Sequence, residues 1–168
     1  MDESIDQSVK KTVAQLQELM NTEMSSKMLN DANKKILIVD DDPDVRKSMN
    51  VRLKADHYDT FFAADAVSSM VEERKHEPDL IILDLGLPAG DGFIVIERLK
   101  AVPSLAVIPF IVVSGRDFRA NQRRVVSMGA KGFLQKPVDN AEFVAVIREV
   151  LREGSQPDDP AAYELQHH

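Results

Sequence analysis

Four places in this chain carry side chains whose types could do chemistry together. They are the acidic run Asp40-Asp41-Asp42, the lone Asp84, the pair Ser114-Gly115, and Lys136 before Pro137. Carboxylates within a few ångströms of one another repel, so either one keeps a proton or a hard cation settles among them. Oxygen ligands suit Mg²⁺, which takes one or two protein carboxylates together with water and phosphate oxygens. A carboxylate that keeps a free oxygen beside such an ion can attack phosphorus. A lysine ammonium would clamp the phosphoryl group from a second side, and a serine hydroxyl would donate to one of its oxygens. Taken singly each signal is weak. Acidic doublets are usually solvated, an isolated aspartate after a strand is often a cap or turn residue, and Lys-Pro and Ser-Gly are common in loops.

The weight comes from the elements that must hold these residues. Leu80-Ile81-Ile82-Leu83 is too short for a helix and branched enough for a strand buried on both faces, as in a parallel sheet. Gly86, Pro88, Gly90 and Gly92 forbid it to continue past Asp84. Ile36 to Val39 is a second such strand and runs straight into Asp40. Pro43 suits the first position of a helix over 43–55 and Asp42 its N-cap, which gives Asp42 a structural task and leaves Asp40 and Asp41 without one. The pattern then predicts a strand over 58–63 and a helix over 65–76 with Ala66, Met70 and Val67 facing inward. A helix over 92–101 follows, ended by Pro103, then a strand over 109–113 that ends at Ser114-Gly115. A helix over 118–128 closes on Gly129 as a left-handed cap. A short strand over 132–135 stops at Lys136-Pro137, and a helix over 140–152 buries Phe143, Val146, Ile147, Val150 and Leu151.

Five strand–helix units in this length predict an α/β fold, a doubly wound five-stranded parallel sheet with helices on both faces. The strand order that suits five strands best is 2-1-3-4-5. In that order the carboxyl ends of neighbouring strands bring Asp40, Asp41, Asp84, Ser114 and Lys136 to one rim, where open α/β sheets bind their ligands.

With 168 residues, 43% of them apolar and 29% charged, the chain can bury one ordinary core. The expected organisation is an extra N-terminal helix and linker over 1–34, the α/β domain over 35–153 and a flexible tail over 154–168. Ile5, Val9, Val13, Leu16, Met20 and Met24 recur at three- and four-residue intervals, which predicts an amphipathic helix over 4–24. Thr12, Glu23 and Ser26 interrupt any strict coiled-coil seam. The polar residues of 25–35 read as a linker. No run reaches the roughly 18 apolar residues of a membrane span, and Met1-Asp2-Glu3-Ser4 does not start like a signal peptide, so a cytoplasmic protein without membrane contact is expected. The absence of cysteine excludes disulfides and thiolate metal sites. A formal charge of −7 disfavours direct nucleic-acid binding. No helix-turn-helix pattern follows Arg152, so output is expected through protein contacts or a domain outside this sequence.

Residues from about Lys35 to Arg152 resemble the receiver domain of two-component response regulators, the CheY-like family with a flavodoxin-like strand order. The resemblance rests on Ile36-Leu37-Ile38-Val39-Asp40-Asp41-Asp42, on Asp84 followed by Leu87-Pro88 and Asp91-Gly92, on Ser114-Gly115 and on Lys136-Pro137. It implies that Asp84 accepts a phosphoryl group from the phosphohistidine of a histidine kinase or phosphotransfer protein. It implies Mg²⁺ held directly by Asp41, largely through water by Asp40, and by Asp84 and the backbone carbonyl of Gly86. Ser114 stands at the family's Thr/Ser switch position and Phe133 at its aromatic one. Lys136 would pair with Asp84 or its phosphate, across a Lys136-Pro137 bond that is often cis in this family. Phosphorylation would draw Ser114 inward and let Phe133 turn from solvent, changing the face made by the helix over 118–128, the strand over 132–135 and the helix over 140–152 for a protein output partner. That face, or the N-terminal helix, would serve a homodimer. Arg119, Arg123 and Arg124 give the helix over 118–128 a basic edge.

Two positions depart from the family's pattern. Gly86 has no side chain to orient attacking water, and Arg116 stands two residues after Ser114; both sites tend to set the lifetime of the acyl phosphate. Two alternatives carry different chemistry. One is a receiver-shaped interaction or dimerisation module that does not turn over phosphate. The other is a haloacid-dehalogenase-like phosphatase, which would place its nucleophile in an Asp-x-Asp directly after the first strand, where this chain continues into Pro43 and Asp44.

Overall fold

The computed structural model describes residues 3–32, 34–88, 92–115 and 118–154, and within these the side chains of 7–22, 34–88, 92–115 and 120–154. In chain order the elements are α1 (Glu3–Ala32), β1 (Lys35–Val39), α2 (Pro43–Ala55), β2 (Asp59–Ala63), α3 (Ala66–His76) and β3 (Leu80–Leu83). Then come α4 (Gly92–Ala101), α5 (Pro103–Ala106), β4 (Phe110–Ser114), α6 (Phe118–Ser127), β5 (Gly132–Gln135) and α7 (Asn140–Glu153). The five strands form one sheet in the order β2-β1-β3-β4-β5, every pair parallel. This is the doubly wound arrangement that the alternation of short apolar runs and helical stripes requires.

Side-chain alternation along the strands divides the core in two. Leu37, Val39, Ile81, Leu83, Phe110 and Val112 face one way and pack with Ala66 of α3, Phe93, Val95, Ile96 and Leu99 of α4 and Val125 of α6. Ile36, Ile38, Leu80, Ile82, Ile111, Val113 and Leu134 face the other way, against Met49 and Leu53 of α2 and Phe143, Ile147, Val150 and Leu151 of α7. With both faces covered, the central strands are apolar at every position, and the only place for polar side chains is at strand ends.

Local signals act as the sequence indicates at several helix ends. Asp42 has extended backbone and accepts from the Asp44 and Val45 amides at 2.8 and 3.3 Å, with Pro43 following it. Asp65 caps α3 reciprocally with Ser68. Gly129 has a φ of +92° after α6.

Four expectations need correction. Residues 25–32 continue α1 in place of a linker, because Ser, Asn and Lys without glycine or proline do not stop a helix. Pro103 ends α4 but also opens α5, where its missing N–H is harmless. Ser114 is the last residue of β4 and lies inside the strand. Val67 is 68% exposed, whereas Ala66, Ser69 and Glu73 are buried: α3 turns its 66/69/73 row to the sheet, and Val67 falls outside that arc. The expected tail from 155 onwards, with Asp91 and Arg116, lies outside the described residues.

Candidate functional site

Each candidate side chain is placed by a backbone hydrogen bond that carries the sheet ladder past a strand end. The Asp40 amide donates to the Ala63 carbonyl at 3.1 Å, the Asp84 amide to Val39 at 2.9 Å and the Lys136 amide to Ser114 at 3.1 Å. The ends of β1, β3 and β5 on one rim of the sheet therefore deliver Asp40, Asp84 and Lys136 to a common point on rigid backbone. One carboxylate oxygen each from Asp40, Asp41 and Asp84 lie within 4.8 Å of one another. Asp40 and Asp84 are buried, and Asp41 is exposed. One carboxylate of the three is thus open to solvent and two are held in buried positions.

Lys136 closes the cluster. Its ammonium donates to Asp40 Oδ2 at 2.5 Å and to Asp84 Oδ2 at 3.0 Å. Burial holds the Asp40 carboxyl above its ordinary value, and the Lys136 and Asp42 hydrogen bonds only partly offset this. For Lys136, burial works against the charge, but the hydrogen bonds to Asp40 and Asp84 and the charges of both prevail and raise it. The ammonium is therefore charged across the physiological range, a fixed positive group beside both carboxylates. The Lys136–Pro137 peptide bond is cis.

Asp84 has a further tie, from the Gly86 amide to its Oδ1 at 2.9 Å. A Cβ on Gly86 would lie 3.2 Å from Asp84 Oδ2, so this position leaves the carboxylate uncrowded. Ser114 is fully buried at the end of β4. Phe133 is partly buried and packs against the core cluster on the α3/α4/α6 side of the sheet. The Asp40 side chain accepts from the Asp42 amide at 2.9 Å.

The site also uses Arg46, which the sequence reading passed over, and Gly92, which it read only as a turn glycine. Arg46 of α2 donates to the Asp40 carbonyl at 2.5 Å, fastening the acidic loop to the helix after it. Its position one turn into a helix that starts at the site was the available signal. Gly92 is required by contact: an added Cβ would stand 2.5 Å from the Asp84 carbonyl oxygen and 2.6 Å from Leu85 Cα. Arg124 of the expected basic edge lies over the Phe93 ring, 3.7 Å from its centre, and Arg123 is exposed; the Arg119 side chain lies outside the described residues.

The donor set fits a hard divalent cation: three carboxylates converge, two of them immobilised, with no nitrogen or sulfur ligand among them. Against this geometry, the sequence of residues 36–148 matches the model of the response regulator receiver domain. The chain belongs to that family. It is similar to the response regulator PleD of Caulobacter vibrioides, 31% identical over 118 residues, which are 70% of this chain and 26% of PleD. It is also similar to the KDP operon transcriptional regulatory protein KdpE of Escherichia coli, 34% identical over 125 residues, 74% of this chain and 54% of KdpE. This chain thus spans from about a quarter to about half of those relatives. Among solved structures, a CheY-like receiver domain protein from Methanospirillum hungatei JF-1 matches with a TM-score of 0.67 and 27% identity, over 72% of this chain and 95% of that one. No helix among the described residues is long and apolar enough to cross a membrane.

Proposed function

We propose that this receiver is a phosphorylation-operated module of two-component signalling in which Asp84 accepts the phosphoryl group. The observation that carries the reading is the convergence of Asp40, Asp41 and Asp84 with the Lys136 ammonium at the carboxyl rim of the sheet. Asp41, Asp84 and the Gly86 carbonyl would hold Mg²⁺ directly and Asp40 through water; when bound, the ion neutralises charge on the transferring phosphoryl oxygens. An Asp84 carboxylate oxygen attacks phosphorus of a phosphohistidine on a histidine kinase or phosphotransfer protein. The new P–O bond forms as the P–N bond breaks, and the imidazole leaves with its electron pair. Lys136 is already within hydrogen-bond reach of Asp84 and would move its donor bonds onto the phosphoryl oxygens.

Signal output then follows from linkage. A phosphoryl group adds acceptor oxygens next to β4, favouring states in which the Ser114 hydroxyl turns towards it and Phe133 repacks, which alters the α6–β5–α7 face presented to a protein partner. In this reading residues 35–153 form the receiver, with residues 1–34 and 154–168 as appended segments, and the protein works in the cytoplasm. Intact mass after incubation with Mg²⁺ and a small acyl-phosphate donor tests the proposal. One phosphoryl group on the wild type, absent from Asp84→Asn and absent in chelator, is the expected result. No adduct under conditions where Mg²⁺ binding is measured would leave an interaction module that does not turn over phosphate.

A further inference from the structure

Val67, Met70, Val71, Arg74 and Lys75 of α3 and Arg98 of α4 line one open groove between the two helices. Val67 and Val71 stand one turn apart and are exposed, while Met70 is half-buried and rests on the core, so the groove has an apolar floor and wall. Apolar surface gathered in a concavity and rimmed by polar groups marks an interaction site. None of these residues belongs to the acidic rim or to the α6–β5–α7 face.

The rim says what the occupant carries. Among the described residues, every charged side chain lining the groove is a cation, in a chain where 28 acidic residues outnumber 21 basic ones. The nearby acids turn elsewhere. Asp65 accepts from the Val67 and Ser68 amides as the N-cap of α3, Glu73 is buried towards the sheet, and Glu77 follows the helix as its left-handed cap. At about 100° per residue Glu72 falls beyond Lys75 on the flank away from Met70, where its carboxylate meets His76 Nε2 at 3.1 Å. On α4, Glu97 and Lys100 lie to the side of Phe93, which faces Arg124 of α6, and Arg98 lies on the other side, towards α3. Lys34, Lys136 and Arg148 are each paired with an aspartate, whereas Arg74, Lys75 and Arg98 form no ion pair among the described residues. Helix macrodipoles account for basic residues in a last turn, but not for an apolar floor between them.

The groove is also polar along its length. α3 and α4 each return from one parallel strand to the next on the same face of the sheet, so they run in the same sense. Arg74, Lys75 and Arg98 lie in the last turns of their helices, which gathers the cations at one end and leaves Val67 at the other. From Val67 to Lys75 the axis advances about 12 Å, the length of about four extended residues or two helical turns. An occupant that fits carries a large apolar side chain and, that far along, a cluster of carboxylates. Nucleic acid supplies the negative charge without the apolar side chain, and a net charge of −7 works against it. We propose that the α3–α4 groove docks an acidic segment of a partner protein, its apolar anchor against Val67, Met70 and Val71 and its carboxylates on Arg74, Lys75 and Arg98. The receiver then holds one partner here while its phosphoryl chemistry changes a different face.

An NMR titration of the ¹⁵N-labelled full chain tests this. The probe is a short synthetic peptide in which a pair of leucines is followed, about four residues on, by a run of glutamates. Amide signals of Val67, Met70, Val71, Arg74, Lys75 and Arg98 should shift together and saturate. Arg74→Glu combined with Arg98→Glu should weaken binding by at least about tenfold, and Val71→Ser or a peptide with serines for leucines should weaken it as well. Lys100→Gln, which removes a cation from the other flank of α4, should bind like the wild type. An unchanged urea-unfolding midpoint in the variants shows that the loss is one of binding and not of fold. Three results would overturn the assignment: no shifts at about 1 mM peptide, shifts confined to the basic edge of α6, or equally tight binding of polyglutamate or a single-stranded oligonucleotide, which would make the groove a site for charge alone.

Discussion

Glu73 sits on the buried row of α3 with no exposed surface. Burial raises its pKa from 4.5 to about 7, with the nearby Arg74 charge and the Ser69 hydroxyl opposing the shift. Between those values the folded protein keeps a proton that the unfolded chain has released. Because the folded state binds more protons, stability falls as pH rises from about 4.5, and the loss levels off above about 7. At about 1.4 kcal/mol per unit, the full swing is on the order of 3 kcal/mol. Replacing Glu73 with Met keeps the volume and removes the ionisation, so the variant should exceed the wild type by about that amount at pH 8 and by little at pH 4.5. With a urea dependence of roughly 1–3 kcal/mol per molar for a domain of this size, the midpoint at pH 8 should rise by about 1–3 M. Paired urea titrations at the two pH values are the assay, and the wild-type-to-variant difference cancels every other titrating group. A difference that is the same at both pH values, or a variant less stable at pH 8, would refute the reasoning.

Other contacts give separate tests. Lys136→Met leaves Asp40 and Asp84 facing each other without their cation; in chelator it should lower stability by about 1–3 kcal/mol, and added Mg²⁺ should recover part of this in a thermal-unfolding series. Gly92→Ala drives a methyl against the Asp84 carbonyl and Leu85, so a loss of about 1–3 kcal/mol is expected by chemical denaturation, whereas Gly86→Ala, with 3.2 Å to Asp84 Oδ2, should be milder in stability. Arg124→Ala removes the cation over the Phe93 ring and should cost about 0.5–1 kcal/mol, a cost that should vanish when the same change is made in a Phe93→Leu background.

The rim was legible because this fold leaves polar residues on central strands only where the strands stop. Ile36 to Val39, Leu80 to Leu83 and Phe110 to Val113 are unbroken apolar runs, so the first polar residue after each announces the strand's carboxyl end. What the sequence reading missed depends on three-dimensional facing. Choosing the inward face of α3 by apolarity favours Val67, yet the sheet receives Ser69 and Glu73, because the helix's position is set by the Asp65 cap and by Ala66 against the sheet. The length of α1 escaped because a polar stretch without glycine or proline carries no stop signal. Gly92 looked like a turn glycine, and only the 2.5 Å approach to the Asp84 carbonyl reveals that no side chain fits there. Arg46 bonds to a backbone carbonyl, a contact that leaves no mark in residue type.

The central claim is that Asp84, and no other carboxylate of the acidic cluster, forms the phosphoryl bond. Reducing the phosphorylated protein with borohydride converts an aspartyl phosphate to homoserine, and peptide mass spectrometry then reads the position. Homoserine at residue 84 alone, formed only when Mg²⁺ was present, is the predicted result; homoserine at residue 40 or 41, or none after a phosphoryl group has been detected on the intact protein, would contradict the account.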